Sequence, residues 1–218
     1  MTPGTEGRAA PSTAAVVLAA GVATRFGGGK IRAMLEGRPL VAHVLAAARA
    51  AGIRRIVLVL GRDAVEVRAA LVAVDSTALD AVLVAVNPGP ERGLATSLRV
   101  GLAAATAAPA PDGVLVLLGD QPRVQPAVLE ALVAAAGQAP ADARAVGAAH
   151  GEDGAPNPLL VLPAGWPVAA ALQGDRGLAP LLAAAPERIV RVPVAGTNPD
   201  VDTPADLVAL AAHEGSLP

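Results

Sequence analysis

The chain has 218 residues, of which 53% are hydrophobic and 1% aromatic, and its formal net charge is −2 at neutral pH. This length suits one domain with a substantial core, and the charge gives no electrostatic basis for binding a nucleic-acid backbone or an anionic membrane. The sequence has no cysteine, which excludes disulfides, thiolate metal sites and a cysteine nucleophile. No apolar segment approaches the roughly 20 residues needed to span a bilayer, so we expect a cytoplasmic protein.

Strands and helices alternate along the chain. Residues 1–12, rich in Gly, Pro, Thr and Ala, are predicted to be a disordered tail before one domain at 13–213. Predicted strands are 14–19, 54–60, 81–86, 113–118, 145–149, 159–162 and 188–194. Predicted helices are 40–52, 64–74, one from 93, 126–136, 166–172, 178–185 and one from 203, with Pro39 tolerated in the first turn of the first helix. This order predicts an α/β fold, a three-layer αβα sandwich with a mostly parallel, Rossmann-like sheet.

The first loop follows an apolar strand and is rich in glycine and cations. Its glycines allow backbone N–H groups to turn toward an anion. Arg25 and Lys30 supply positive charge for a phosphate chain, and Lys30 is the only lysine in the sequence. A solvated connection is the alternative, but the pattern favours a phosphate-binding loop.

Asp120 directly follows the predicted strand 113–118. Ligands of open α/β sheets bind beyond the carboxyl ends of the strands, and Mg²⁺ takes one or two carboxylates beside phosphate oxygens. Asp120 therefore fits a metal ligand, although it could simply begin the turn into the next helix. Either Asp200 or Asp202 could supply a second carboxylate, whereas Asp206 is better explained as the acid that caps the last helix.

Other polar positions permit two interpretations. The Ser97 hydroxyl either contacts a ligand or satisfies the start of its helix. The loop at 151–158 is either a substrate loop or a solvated connection, and Arg176, between two glycines, either binds a second anion or is solvated.

Several motifs together resemble a known family. Residues 18–21 (Leu-Ala-Ala-Gly), followed by Arg25, Gly27 and Lys30, match the signature of nucleotidyltransferases, which continues in Gly-Arg-Pro-Leu at 37–40. With the segments 93–99, 119–122, 174–177 and 200–204, the chain resembles the molybdenum cofactor nucleotidyltransferases, and among them the cytidylyltransferase type. The resemblance spans about residues 14–210.

This resemblance implies an Mg²⁺-dependent transfer of CMP from CTP to a phosphorylated acceptor such as the molybdopterin cofactor, with release of pyrophosphate. GTP is the other nucleotide to consider, and a molybdoenzyme or its chaperone is a candidate partner. By the same resemblance, Arg25, Lys30 and Asp120 are catalytic, Asp120 and Asp202 bind the metal, and Asn157 and Arg176 lie on the acceptor side. The nucleotide would contact Leu18, Ala19, Ala20, Gly21, Arg25, Lys30, Ser97 and Asp120.

The match departs from the family pattern at positions that affect the acceptor and the base. The family usually has His-Pro where Asn157-Pro158 stands, and serines where Ala95 and Thr96 stand. One alternative is an NAD(P)H-dependent oxidoreductase of the kind found in nicotine breakdown, but the first loop lacks the G-x-G-x-x-G spacing of such sites. A nucleotide-binding module without turnover is the non-enzymatic alternative.

Overall fold

The computed structural model describes residues 12–107, 109–151, 156–175 and 177–212. The predicted tail therefore lies outside the described residues except for Ser12, and Arg176 lies outside them as well. In the described parts of the chain, no helix is long and apolar enough to cross a membrane.

The chain forms nine strands and seven α-helices within these ranges. The strands are β1 (Thr13–Ala19), β2 (Met34–Leu35), β3 (Arg38–Pro39), β4 (Arg55–Leu60), β5 (Val82–Val86), β6 (Gly113–Leu118), β7 (Ala145–His150), β8 (Leu159–Val161) and β9 (Ile189–Val194). The helices are α1 (Leu40–Ala50), α2 (Ala64–Val74), α3 (Leu94–Ala105), α4 (Pro126–Ala136), α5 (Trp166–Ala170), α6 (Ala179–Ala184) and α7 (Pro204–Ala212). Where the sequence predicts a helix or strand, the predicted bounds agree with these to within two residues, but β2 and β3 were not predicted.

Seven of the strands form one sheet in the order β5-β4-β1-β6-β8-β7-β9. Neighbouring strands run parallel except at β8, which is antiparallel to both β6 and β7. The central strands are continuous apolar runs because both of their faces are covered by helices. Residues Val16 and Val17, on opposite faces of β1, are both fully buried.

Helices cover the two faces of this sheet. Helices α1, α2 and α4 pack on one face through side chains such as Val41, Leu71 and Leu129. Helices α3, α5 and α6 pack on the other through Leu98, Ala169 and Leu181. The described chain is therefore the predicted three-layer αβα sandwich in a single domain.

The segment before α1 differs from the prediction. Pro39 does not lie in the first turn of the helix but in β3, which pairs with β2 in a small antiparallel hairpin. Glu36 and Gly37 both have positive φ, +51° and +76°, as a two-residue hairpin turn requires. The hairpin places buried Leu35 against Leu40, and α1 begins only at Leu40.

Candidate active site

The loop after β1 owes its shape to consecutive glycines. Gly27, Gly28 and Gly29 have φ values of +86°, +93° and +64°, a region that side chains with a Cβ rarely adopt. The N–H groups of Gly27 and Gly28 donate to the carbonyls of Thr24 and Ala23 at 3.2 and 3.1 Å. These two N–H groups therefore stabilise the loop itself, and other loop groups must contact any bound anion.

Lys30 bridges two carboxylates from distant parts of the chain. Its Nζ lies 2.6 Å from Asp120 Oδ2 and 3.1 Å from Asp202 Oδ1. The Lys30 side chain is only 11% exposed, whereas that of Arg25 is 77% exposed and lies with Nη1 3.2 Å from Asp202 Oδ2. Two cations and two carboxylates thus form one cluster (Arg25, Lys30, Asp120 and Asp202), which we call the Lys30 cluster.

The neighbouring carboxylates keep Lys30 charged. Burial by itself lowers the pKa of its ammonium, but the hydrogen bonds and charges of Asp120 and Asp202 outweigh burial and raise the pKa above the ordinary lysine value. Lys30 is therefore a cation at neutral pH, which suits a group expected to bind phosphate.

Backbone contacts fix Asp202 opposite Asp120. The Val201 N–H donates to the Asp120 carbonyl at 2.9 Å, and the buried Val201 side chain packs with Leu35 and Leu40. Asp206 accepts hydrogen bonds from the N–H groups of Asp202 and Thr203 at 3.0 and 2.7 Å. The Thr203 hydroxyl in turn accepts from the Asp206 N–H, which confirms the predicted cap of α7.

A second polar network lies beside the Lys30 cluster. Gln121 donates through Nε2 to Asp200 Oδ1 at 2.6 Å, and its Oε1 accepts from Asn157 and Asn198. Burial raises the pKa of the Asp200 carboxyl, the Gln121 hydrogen bond partly offsets this, and the charges of Asp120 and Asp202 raise the pKa further. Of the two candidate acids, Asp202 therefore contacts Lys30, whereas Asp200 contacts Gln121.

The remaining predicted site residues lie around this edge of the sheet. Leu18 and Ala19 end β1, followed by buried Ala20 and exposed Gly21. Ser97, also buried, accepts a hydrogen bond from Asn87 Nδ2 at 2.9 Å. This contact is to a side chain and does not satisfy an N–H group at the start of α3, whose N-cap, Gly93, has no side-chain hydrogen bond. A role of Ser97 toward a ligand stays a prediction.

The start of α3 contacts another of the motif segments. Gly93 has φ +102° and lies so close to the Gly174 backbone that a Cβ would come within 2.5 Å of it. Ala95 donates its N–H to the Gly174 carbonyl, and Leu94 donates to Asp175. The start of α3 and residues Gly174 and Asp175, far apart in sequence, are therefore in direct contact.

The carboxylates of the Lys30 cluster suit a metal that is bound together with a substrate. Asp120 and Asp202 already hold one cation between them, the Lys30 ammonium. Within the described residues, no group of three or more His, Cys, Asp or Glu side chains could hold a metal ion. Mg²⁺ commonly needs only one or two carboxylates when substrate phosphates complete its shell, so this pair fits a metal that binds with a nucleotide.

Comparison with known proteins identifies the family. Residues 15–189 match the model of the MobA-like NTP transferase domain. The chain belongs to this family. The family is one of NTP transferases. The Lys30 cluster lies beyond the carboxyl ends of β1 and β6, the position at which open α/β sheets generally bind ligands.

Solved structures share this MobA-like architecture over nearly their whole length. The crystal structure of Rv0371c from Mycobacterium tuberculosis H37Rv is 32% identical, covers 93% of this chain and 99% of its own, and has a TM-score of 0.78. A nucleotidyl transferase from Methanothermobacter is 26% identical, covers 93% and 97%, and has a TM-score of 0.73. Rv0371c has also been solved in complex with manganese, at 30% identity and a TM-score of 0.75, with 92% of this chain and 98% of that one covered.

The curated relatives match a smaller part of this chain than the solved structures do. The bifunctional protein GlmU of Rhizobium etli is 38% identical over 110 residues, 50% of this chain and 23% of its own length. The chain thus spans about a quarter of the length of the curated relatives it matches.

Proposed function

We propose that this MobA-like nucleotidyltransferase transfers CMP from CTP to a phosphorylated small-molecule acceptor such as the molybdopterin cofactor, and releases pyrophosphate. The observation that carries the proposal is the Lys30 cluster, which joins the glycine-rich loop after β1 to carboxylates that follow β6 and β9. The motif resemblance described above supports the choice of CTP and of the acceptor. The same resemblance leads us to propose a molybdoenzyme or its chaperone as the protein that receives the product.

The chemistry needs no covalent enzyme intermediate. A phosphate oxygen of the acceptor attacks the α-phosphorus of the nucleotide in line, and a new P–O bond forms. The bond between the α-phosphorus and the oxygen that bridges to the β-phosphate breaks, and pyrophosphate leaves with that electron pair. Lys30 and Arg25 stabilise the charge on the triphosphate, and the enzyme contributes position and electrostatics.

The two carboxylates of the Lys30 cluster would bind a metal ion. Asp120 and Asp202 would hold a divalent ion, for which we propose Mg²⁺, and this ion would neutralise part of the phosphate charge when bound. The manganese complex of the related Rv0371c is consistent with a divalent metal in this family. The Lys30 ammonium would then form ion pairs with the phosphates as well as with Asp120 and Asp202.

The acceptor would approach from the side of the Gln121 network. Asn157 lies there and donates to Gln121 Oε1 at 3.0 Å. We propose that Asn157 and Arg176 contact the acceptor. Leu18, Ala19, Ala20, Gly21 and Ser97 would lie on the nucleotide side, near the ends of β1 and the start of α3.

A ligand screen tests the proposal before the acceptor is known. The melting temperature is measured with each of the four NTPs in the presence of Mg²⁺, because a ligand at a hundred times its Kd adds about 2.7 kcal/mol of stability. We expect CTP to give the largest increase and to release pyrophosphate when molybdopterin is added. Consumption of NAD(P)H without pyrophosphate release, or nucleotide binding without turnover on any acceptor, would contradict the proposal.

A further inference from the structure

The main sheet ends at β5, a strand with exposed apolar side chains. Within the described chain, β4 is the only strand that pairs with it. Leu83 and Val86 on β5 are 55% and 54% exposed. From Ala81 to Val86 the sequence has neither a charged residue nor a proline. Edge strands normally carry such residues, because they discourage pairing with another chain.

The strand at the other edge of the sheet, β9, has both of these features. Arg191 and Pro193 lie within it, and the proline has no N–H to donate to a further strand. The β9 edge is therefore protected against pairing by its sequence, whereas the β5 edge is not. This difference indicates that the β5 edge is a surface for association.

The outer side of β5 also presents backbone hydrogen-bonding groups. The Asn87 N–H, directly after β5, donates to the Leu60 carbonyl on β4 at 2.8 Å. The backbone groups of successive residues in a strand point alternately to its two sides, so those of Val82, Val84 and Val86 point away from β4. The Val82 N–H already donates within the turn before the strand. The N–H groups of Val84 and Val86, and the carbonyls of all three valines, are placed to bond either water or another strand.

Helix α2 extends this apolar surface on one face of the sheet. Val67 and Leu71 are buried, whereas Val65 and Val72 are exposed. The two exposed valines are about two turns apart and so lie on one side of the helix. Because β4, α2 and β5 form a right-handed crossover, this side faces away from α1 and toward the open edge of β5. Arg68 lies between the valines in sequence, and its aliphatic stem can pack along them while its charge stays in water.

An antiparallel copy of β5 is complementary to the strand itself. With Val84 opposite Val84 of the second copy, Val82 lies opposite Val86, and Leu83 lies opposite Ala85. Every pair is then apolar, and the larger Leu83 meets the smaller Ala85. In antiparallel strands, alternate opposite pairs exchange two N–H···O bonds. In this register the outward backbone groups of the three valines all fall in such pairs.

We propose that two copies of this chain form a dimer by antiparallel pairing of their β5 strands, which joins the two seven-stranded sheets into one. The two α2 helices then lie side by side and antiparallel, about 10 Å apart, and Val65 of one copy lies near Val72 of the other. A single peptide added to this edge would leave these two valines uncovered. A second copy covers the strand and the valines together, which favours it as the occupant.

The size of this interface sets the expected affinity. Five strand residues span about 17 Å, and α2 adds a layer about 10 Å deep. Two copies would thus bury on the order of 1,000 Å² in total, the lower limit for a specific interface. We therefore expect a dimer with a dissociation constant in the micromolar range.

Sedimentation equilibrium of the full chain tests the dimer without nucleotide or metal. We expect the average mass to rise from near 21.4 kDa at about 1 µM toward twice that value at about 500 µM. Amide hydrogen exchange at the same two concentrations locates the interface. The N–H groups of Val84 and Val86 should exchange several-fold more slowly at the higher concentration. Those of Leu83 and Ala85, which point toward β4, should keep the same rate.

Lysine variants test the two parts of the surface separately. Leu83→Lys places a charge in the strand, and Val72→Lys places one on α2. Each should raise the dissociation constant of the dimer about tenfold or more, because a charge buried at the interface disfavours pairing. Val208→Lys, at an exposed valine on α7, is the matched control and should leave the constant unchanged. The melting temperature of each variant at low concentration checks that it is folded.

The proposal is overturned if the wild type stays near 21.4 kDa up to about 500 µM. A rise in mass without slower exchange at Val84 and Val86, or equal effects of Leu83→Lys and Val208→Lys, would overturn it as well. A dimer that Val72→Lys leaves unchanged would contradict the contact between the α2 helices. None of these readouts involves a nucleotide, so the dimer and the proposed function are tested independently.

Discussion

Lys30 Nζ lies 2.6 Å from Asp120 Oδ2, although 90 residues separate the two in sequence. The sheet topology explains this contact. Lys30 follows β1 and Asp120 follows β6, and β1 and β6 are parallel neighbours whose carboxyl ends meet at one edge. The same contact joins the glycine-rich loop to the acid that fits a metal ligand.

The two acids near this contact should differ in their effect on metal dependence. Asp202 contacts Lys30 and Asp200 contacts Gln121, so we expect Asp202 rather than Asp200 to share a metal with Asp120. We expect Asp202→Asn to abolish the stabilisation that Mg²⁺ with CTP gives in thermal unfolding, and Asp200→Asn to keep most of it. Equal losses in the two variants would contradict the assignment.

Asp200→Asn should also change stability in a pH-dependent way. The pKa of Asp200 is raised in the folded protein, so the ionised carboxyl disfavours folding at every pH above that raised pKa. Below the ordinary pKa of Asp, near 3.9, the carboxyl is protonated in both states and the penalty disappears. In urea unfolding, the variant should be more stable than the wild type at pH 7, and the difference should vanish at about pH 3.

Asp206 should show the opposite dependence on pH. Hydrogen bonds from the Thr203 backbone and hydroxyl, and from the Asp202 backbone, lower the pKa of Asp206 in the folded protein. Its contribution to stability is thus complete above the ordinary pKa and is lost as the pH falls through the lowered one. Asp206→Ala should lower the melting temperature at pH 7 and have little effect near pH 2. Glu130→Ala, an exposed acid on α4, is the control and should have a small effect at both pH values.

Packing of α3 on the sheet gives a prediction about stability alone. A Cβ on Gly101 would clash with Val16 Cγ1 and lie 3.0 Å from Val59 Cγ2, and both valines are fully buried. Gly101→Ala should therefore cost about 1–3 kcal/mol of unfolding free energy, in spite of the better helix propensity of alanine. Gly137→Ala is the control, because Gly137 has a helical φ. A Cβ there would lie 3.4 Å from the Ala134 carbonyl oxygen, which is an ordinary contact distance. It should be neutral or slightly stabilising.

Much of this fold could be predicted from the sequence, because buried parallel strands appear as continuous apolar runs. The strand 113–118 and the helices 64–74 and 126–136 are found where these patterns place them. The antiparallel β8 and the order of the strands were not predicted, because pairing depends on contacts between distant residues. The hairpin of β2 and β3 was missed since its strands have two residues each, too few for a periodic pattern.

The site could be predicted where a residue type is unusual for its position in the sequence. A single lysine in a glycine-rich loop and an acid after an apolar strand indicated Lys30 and Asp120, and the structure brings them together. Gln121 was not singled out as a side chain, although it lies next to Asp120 and links Asp200, Asn157 and Asn198. A glutamine carries no distinctive signal by itself, and only the three-dimensional network shows what it contacts.

The most direct test is pyrophosphate release by Lys30→Ala. The assay uses the NTP that stabilises the wild type most, with Mg²⁺ and molybdopterin, and circular dichroism checks that the variant is folded. Arg54→Ala, an exposed cation before β4 at the opposite edge of the sheet, is the matched control. We predict that Lys30→Ala lowers kcat on the order of 100-fold or more while Arg54→Ala stays near wild type. Near-normal turnover in a folded Lys30→Ala variant would contradict the catalytic role of the Lys30 cluster.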